Sequence, residues 1–228
     1  MKPQYDKQWG SRLKGFLLVF ILLISISGCG EYEYQNPSPM PTQKWLADFF
    51  SNPTCEPPCW ENIIPGETTM EEAQRMVQSR DDIIKFRGPI IPPPVGKDID
   101  FTWTFKNDQR GGGVSSDANG KIVAGITLQI NLSLSQIIDK FGFPDQVFPQ
   151  STESTLQAGL YLLYPQINMI LVTLMGEKDG VIQITPQTYI FSIVMGTDDW
   201  QMQSLQRFED YKNRISSWHG YGEYTVPD

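Results

Sequence analysis

Three cysteines and one histidine are the side chains of this sequence best suited to nucleophilic, redox or metal chemistry. Cys55 and Cys59 are separated by three residues, two of them prolines. A redox pair normally has two intervening residues and a thiolate at a helix N-terminus, and a zinc site needs four ligands, which His219 alone does not complete. In a chain that leaves the cytoplasm, two neighbouring cysteines usually pair. We therefore predict a structural disulfide between Cys55 and Cys59, the alternatives being a redox couple or a metal site.

The hydroxyl and glycine-rich segments give no catalytic pattern. Ser115 and Ser116 stand beside a predicted turn without a histidine partner, and no G-x-S-x-G motif occurs. Gly111–Gly113 is not followed by the Lys-Ser/Thr pair of a phosphate loop, so we interpret it as a flexible turn. His219 follows a predicted helix and is interpreted as a surface or capping residue. We predict no catalytic residue, no cofactor and no enzyme activity.

Pairs of acidic residues raise the question of a metal site. Asp81-Asp82, Asp98 with Asp100, and Asp198-Asp199 all lack the spacing of a calcium loop. Solvated turns and helix starts account for such pairs, and we predict no metal ligands. Carboxylate-only chemistry such as glycoside hydrolysis would need two acids facing each other across a cleft.

The N-terminus has the pattern of a secretory signal. Four cationic residues precede an apolar run, Gly15 to Ser27, which has 13 residues. A permanent membrane helix needs about 20 apolar residues, so we predict a signal peptide over 1–28 rather than an anchor helix.

The residues after the apolar run are more specific. Ile26-Ser27-Gly28-Cys29 resembles the lipobox of bacterial lipoproteins. The resemblance implies that the Cys29 thiol receives a diacylglyceryl group and that a lipoprotein signal peptidase then cuts before Cys29. Acyl chains contribute about 0.8 kcal/mol per buried methylene, and two chains suffice for stable anchoring. We expect an extracytoplasmic chain, anchored to the cell membrane through its lipid.

Composition and charge restrict the partners of this chain. The net charge is −8, and removal of residues 1–28 leaves 14 basic and 25 acidic residues, a net charge of −11. An acidic surface repels phosphate backbones, so we predict no nucleic-acid partner. Residues 29–42 contain alternating prolines and are predicted to form an extended tether.

The body is predicted to be an α+β fold made of two helix-then-antiparallel-sheet units, 43–131 and 132–228. Thr69 with Glu72, and Ser133 with Gln136, have the spacing of capping boxes and predict helices over 70–80 and 134–141. Because the same pattern restarts, the units suggest a tandem repeat, and a C-terminal helix is predicted over 198–218. Alternating or β-branched segments predict strands at 99–105, 113–116, 121–130, 156–164, 168–175, 181–185 and 189–195.

Two segments of the body resemble known envelope proteins. The phrase that begins Cys59-Trp60 and runs through Pro65-Gly66 to Ala73 is similar to the openings of many bacterial lipoproteins. Together with the Leu134–Asp145 segment, it is more distantly similar to the BamE-like helix-plus-sheet lipoproteins that assist outer-membrane assembly. The resemblance implies a helix-plus-sheet fold and carries over no catalytic residue.

The C-terminal segment from Trp218 to Tyr224 is aromatic, and it either packs back on the body or binds a partner or a sugar. Without a catalytic constellation, and with the expected anchor, we predict a lipoprotein with a protein-binding or scaffolding role and an envelope protein as its partner. The alternative is a solute- or glycan-binding lipoprotein, whose ligand would lie on a sheet face or between the two units.

Overall fold

Strands and short helices alternate along the chain. A computed structural model describes residues 44–51, 54–87, 100–106, 110–151, 157–206, 208 and 211–226. The helices of these ranges are α1 (Lys44–Ser51), α2 (Met70–Gln78), α3 (Leu134–Phe141), α4 (Asp198–Leu205) and α5 (Tyr211–Arg214). The strands are β1 (Ile83–Arg87), β2 (Phe101–Phe105), β3 (Gly111–Ser116), β4 (Val123–Ser133), β5 (Gln146–Ser151), β6 (Gln157–Tyr164), β7 (Met169–Gly176), β8 (Val181–Ile184), β9 (Tyr189–Gly196), β10 (Ser216–Ser217) and β11 (Gly222–Thr225). The predicted α+β class is confirmed.

Both predicted capping boxes form, and they fix the starts of α2 and α3. The Thr69 hydroxyl accepts the Glu72 N–H at 3.2 Å, and the Glu72 carboxylate accepts the Thr69 N–H at 3.1 Å. The Thr69 hydroxyl also donates to the Glu72 carboxylate at 2.8 Å, and this bond, together with the one from the Thr69 N–H, lowers the pKa of Glu72. At α3, the Ser133 N–H donates to the Gln136 side chain at 3.0 Å. Each helix therefore begins where its N-terminal N–H groups find a local acceptor.

One large antiparallel sheet organises the described residues. Its nine strands run in the order β1-β2-β3-β4-β9-β7-β6-β5-β10, and β8 pairs with β11 in a separate two-stranded sheet. The strands of both predicted units therefore lie side by side, joined where β4 pairs with β9. Each half of the large sheet follows one of the two capped helices along the chain.

Each face of the sheet carries its own hydrophobic core. One core contains Trp60, Trp103 and Ile126 together with side chains of α1, α2 and α3. The other contains Trp200 and Tyr211, from α4 and α5, packed on β4–β7 and β9. A Cβ atom at Gly125 would lie 2.5 Å from the Trp200 ring, so that strand position must lack a side chain for α4 to dock. Helices therefore pack on both faces of the large sheet.

The C-terminal region differs from the single helix predicted over 198–218. The Thr197 hydroxyl accepts the Trp200 N–H at 3.3 Å and starts α4, which ends at Leu205. The short α5 follows, and Ser216–Ser217 then pairs with β5 as the last strand of the sheet. Pairing with the sheet edge satisfies backbone groups that a longer helix would have satisfied internally.

The glycine tract Gly111–Gly113, interpreted above as a flexible turn, lies instead in strand β3. A Cβ atom at Gly112 would lie 2.3 Å from the Trp103 ring, so this position leaves room for a buried tryptophan. The correction has a packing reason: a strand without side chains lets its neighbour place a large ring against the backbone.

Candidate functional site

The structure joins Cys55 and Cys59 by a disulfide, in agreement with the predicted pair. Cys59 is buried, and the next residue, Trp60, lies in the core with 1% of its surface exposed. The Trp60 ring stacks on Trp103 with 4.9 Å between ring centroids. The guanidinium of Arg80 lies 5.4 Å from the Trp60 ring centroid and forms a cation–π contact with this ring. The disulfide therefore closes the short loop that ends directly before a core tryptophan.

Replacing both Cys55 and Cys59 with serine should lower the free energy of unfolding by about 2 kcal/mol, the loop-closure entropy expected for so short a loop. Urea unfolding followed by tryptophan fluorescence measures the change. Glu56→Ser serves as the matched control, because it changes an exposed side chain of the same loop and keeps both cysteines. An unchanged urea midpoint in the double variant would contradict a stabilising role for the disulfide.

The acidic pairs lie at turns and helix starts. Asp82 forms an ion pair with Arg80 at 2.8 Å, and the Asp100 carboxylate accepts the Ser116 N–H at 2.6 Å. Asp198 and Asp199 occupy the first turn of α4, and Asp98 lies outside the described residues. Within the described ranges, no group of three or more His, Cys, Asp or Glu side chains is placed to hold a metal ion.

His219 belongs to a turn of stacked aromatic rings at the C-terminus. We call the residues 218–224 the aromatic turn. The His219 ring stacks on Tyr224 with 4.0 Å between centroids, and Trp218 stacks on the same ring at 5.8 Å. Tyr221 meets Trp218 edge-on at 6.0 Å. Tyr224 is buried and its strand β11 pairs with β8, so the aromatic segment packs back on the body while part of it faces solvent.

Hydrogen bonds hold the aromatic turn in one conformation. The Tyr224 hydroxyl accepts the His219 N–H at 3.2 Å and donates to the Gly220 carbonyl at 2.8 Å. The Trp218 N–H donates to the Asp145 carbonyl at 3.0 Å, which ties the turn to the segment after α3. A surface whose side chains are already ordered loses little conformational entropy when it binds.

Phe143 and Tyr221 make this region apolar at its surface. Their side chains are 63% and 39% exposed, in a chain whose other large apolar groups are mostly buried. Phe143 lies between Gly142 and Asp145, and both are held by hydrogen bonds. The Gly142 carbonyl accepts the Tyr164 hydroxyl at 3.1 Å, and the Asp145 carbonyl accepts the Trp218 backbone N–H. Burial and the negative charge of Asp139 raise the pKa of Tyr221. Asp139, at the end of α3, therefore lies near the turn.

A groove continues this surface along α3. It measures about 410 Å³ and runs between α1 and α3. Its lining residues are Leu46, Ala47, Phe50, Ser51, Leu132, Gln136, Asp139 and Lys140. Asp139 lines the groove, and the Trp218 backbone N–H binds the Asp145 carbonyl just after α3, so the groove and the aromatic turn lie at the same end of this helix. We call the aromatic turn, Phe143, Asp139 and this groove the α3 surface.

The α3 surface combines aromatic rings, an apolar groove and carboxylates. Such a combination binds apolar and cationic groups, because aromatic rings pack against apolar groups and attract cations, and carboxylates attract positive charge. The sequence indicated the aromatic turn but not Phe143 or Asp139. Phe143 stands between a helix-ending glycine and Pro144, a position at which an apolar residue has no helix face to pack on.

Cys29, the predicted signal peptide and the tether all lie outside the described residues. Among the helices that the structure describes, none is long and apolar enough to cross a membrane. The chain matches no protein-family model, no curated protein and no solved structure.

Proposed function

We propose that this chain is an extracytoplasmic lipoprotein, anchored through Cys29, whose body binds a protein of the cell envelope without catalysing a reaction of its own. The observation that carries the proposal is the α3 surface, where exposed Tyr221 stands on a turn fixed by hydrogen bonds and exposed Phe143 lies in the segment after α3. Exposed apolar patches of this kind mark interaction sites. The lipobox supplies the expected anchor and the tether the expected distance from the membrane.

The finer organisation belongs to the same proposal. We infer a tandem repeat, in which each unit starts with a capped helix and continues into antiparallel strands. Two observations support it: Ser133 repeats the capping chemistry of Thr69, and each helix precedes one half of the large sheet. The joint between β4 and β9 would then be the contact between the repeats.

Photo-crosslinking in living cells tests the binding role. A photoreactive aromatic residue replaces Phe143 or Tyr221 on the α3 surface, and replaces Ile84 or Met202 elsewhere, where the side chains are 60% and 46% exposed. We expect one envelope protein to be linked reproducibly from positions 143 and 221. Absence of a linked protein from all four positions would overturn the binding role. A protein linked only from 84 or 202 would preserve that role and place it on another surface.

A further inference from the structure

The inner arrangement around Arg80 shows how this chain holds a cation. The Arg80 guanidinium lies over the Trp60 ring at 5.4 Å. Its nitrogens lie 2.7 Å from the Glu61 carboxylate and 2.8 Å from that of Asp82. The ring supplies a negative face and the two carboxylates supply charge-assisted hydrogen bonds. A planar cation is thus held between one aromatic ring and two acids.

The α3 surface contains the same elements, aromatic rings and carboxylates, at positions open to solvent. Tyr221 and Trp218 supply rings that meet edge-on at 6.0 Å, and the carboxylate of Asp139 lines the adjoining groove. The backbone carbonyl of Asp145 accepts the backbone N–H of Trp218 at 3.0 Å, which leaves the Asp145 carboxylate beside these rings. Among the described residues, no lysine or arginine lies within ion-pair distance of either aspartate. Asp139, Asp145 and Tyr221 are exposed and therefore accessible to a cation from outside.

The groove beside Asp139 would accommodate the side chain next to such a cation in the sequence of the bound segment. Leu46, Phe50 and Leu132 give it apolar walls, while Lys140 is the basic residue of its lining. Its volume of about 410 Å³ exceeds that of a single large side chain. An apolar side chain next to a lysine or arginine would therefore reach the groove while the cation reaches Tyr221.

We propose that the α3 surface binds a basic, amphipathic segment of the partner protein. A lysine or arginine of this segment lies over Tyr221 and pairs with Asp139, and an adjacent apolar side chain of the segment occupies the groove. This inference rests on the proposed protein-binding function and names its partner chemistry. The charge of the chain agrees with it, because a net charge of −8 attracts basic segments over a distance. The apolar walls of the groove suit an aliphatic side chain better than a hydroxyl-rich sugar, which favours a peptide over a glycan.

Binding of a synthetic peptide tests the proposal. The probe is a fluorescent ten-residue peptide of alternating lysine and leucine, and the full chain in detergent is titrated into it at 50 mM and 150 mM salt. Two comparison ligands are the same peptide with glutamate in place of lysine and a neutral hexasaccharide. We expect the lysine peptide to bind, more weakly at the higher salt concentration, and the comparison ligands not to bind.

Matched variants locate the binding. Asp139→Lys should lower the affinity for the lysine peptide at least tenfold, and Tyr221→Ala should lower it about fivefold. Glu67→Lys changes the net charge equally at an exposed turn, and Ile84→Ala removes an even more exposed apolar group from another part of the sheet, so both should stay within twofold. Asp139→Asn, which removes only the charge, repeats the test if the lysine variant unfolds.

Three results would overturn the proposal. Equal weakening by Glu67→Lys and Asp139→Lys would show that net charge alone attracts the peptide. Absence of peptide binding would exclude a basic partner segment, and hexasaccharide binding that Tyr221→Ala abolishes would make the surface a glycan site. The binding role itself is judged separately, because crosslinking from positions 84 and 202 does not depend on the α3 surface.

Discussion

Replacing Trp60 with alanine should lower the free energy of unfolding by about 3 to 5 kcal/mol, the range for removing a buried tryptophan side chain. Trp60 is 1% exposed, stacks on Trp103 and meets Phe105 edge-on at 6.4 Å. The substitution also leaves Arg80 without the ring over which it lies. Three kinds of contact are therefore lost at once.

Urea unfolding followed by circular dichroism measures the Trp60→Ala effect without relying on tryptophan fluorescence. The matched control is Phe143→Ala, since that ring is 63% exposed and should change stability by less than about 0.5 kcal/mol. A loss below about 1 kcal/mol for Trp60→Ala would contradict the packing described around the disulfide loop.

Replacing Cys29 with alanine should abolish lipid attachment. The predicted peptidase acts after the thiol has been modified, so the variant should keep residues 1–28 and be held at the membrane only by the 13-residue apolar run. That run is too short for a stable spanning helix. We therefore expect an alkaline wash to extract the variant and to leave the wild-type chain in the membrane fraction.

The control for this prediction is the Cys55→Ser, Cys59→Ser double variant. It loses the disulfide but keeps the lipobox, and it should remain in the membrane fraction after the wash. Equal retention of Cys29→Ala and the wild-type chain would contradict anchoring by lipid and would assign the anchor to the apolar run.

Local chemistry was readable from the sequence wherever neighbouring residues decide the structure. Thr69 with Glu72 and Ser133 with Gln136 predicted helix starts that the structure confirms, because a capping box needs only residues three apart. The alternation Phe101, Trp103, Phe105 likewise predicted a strand with one buried face.

Features set by distant contacts were missed. Gly112 lies in a strand because the Trp103 ring occupies the space of its side chain, and β10 exists because β5 offers an edge to Ser216 and Ser217. The placement of Asp139 near Tyr221 likewise depends on residues that are 82 positions apart in the sequence. Periodicity and propensity describe windows of about 11–18 residues and do not contain such contacts.

The intact mass of the wild-type chain, extracted with detergent from the membranes of cells that process lipoproteins, decides whether Cys29 carries a lipid anchor. We expect the mass of Cys29–Asp228 increased by that of at least two acyl chains. A mass that includes residues 1–28 without lipid would contradict it, because the chain would then be held by its apolar run and Cys29 would carry no anchor.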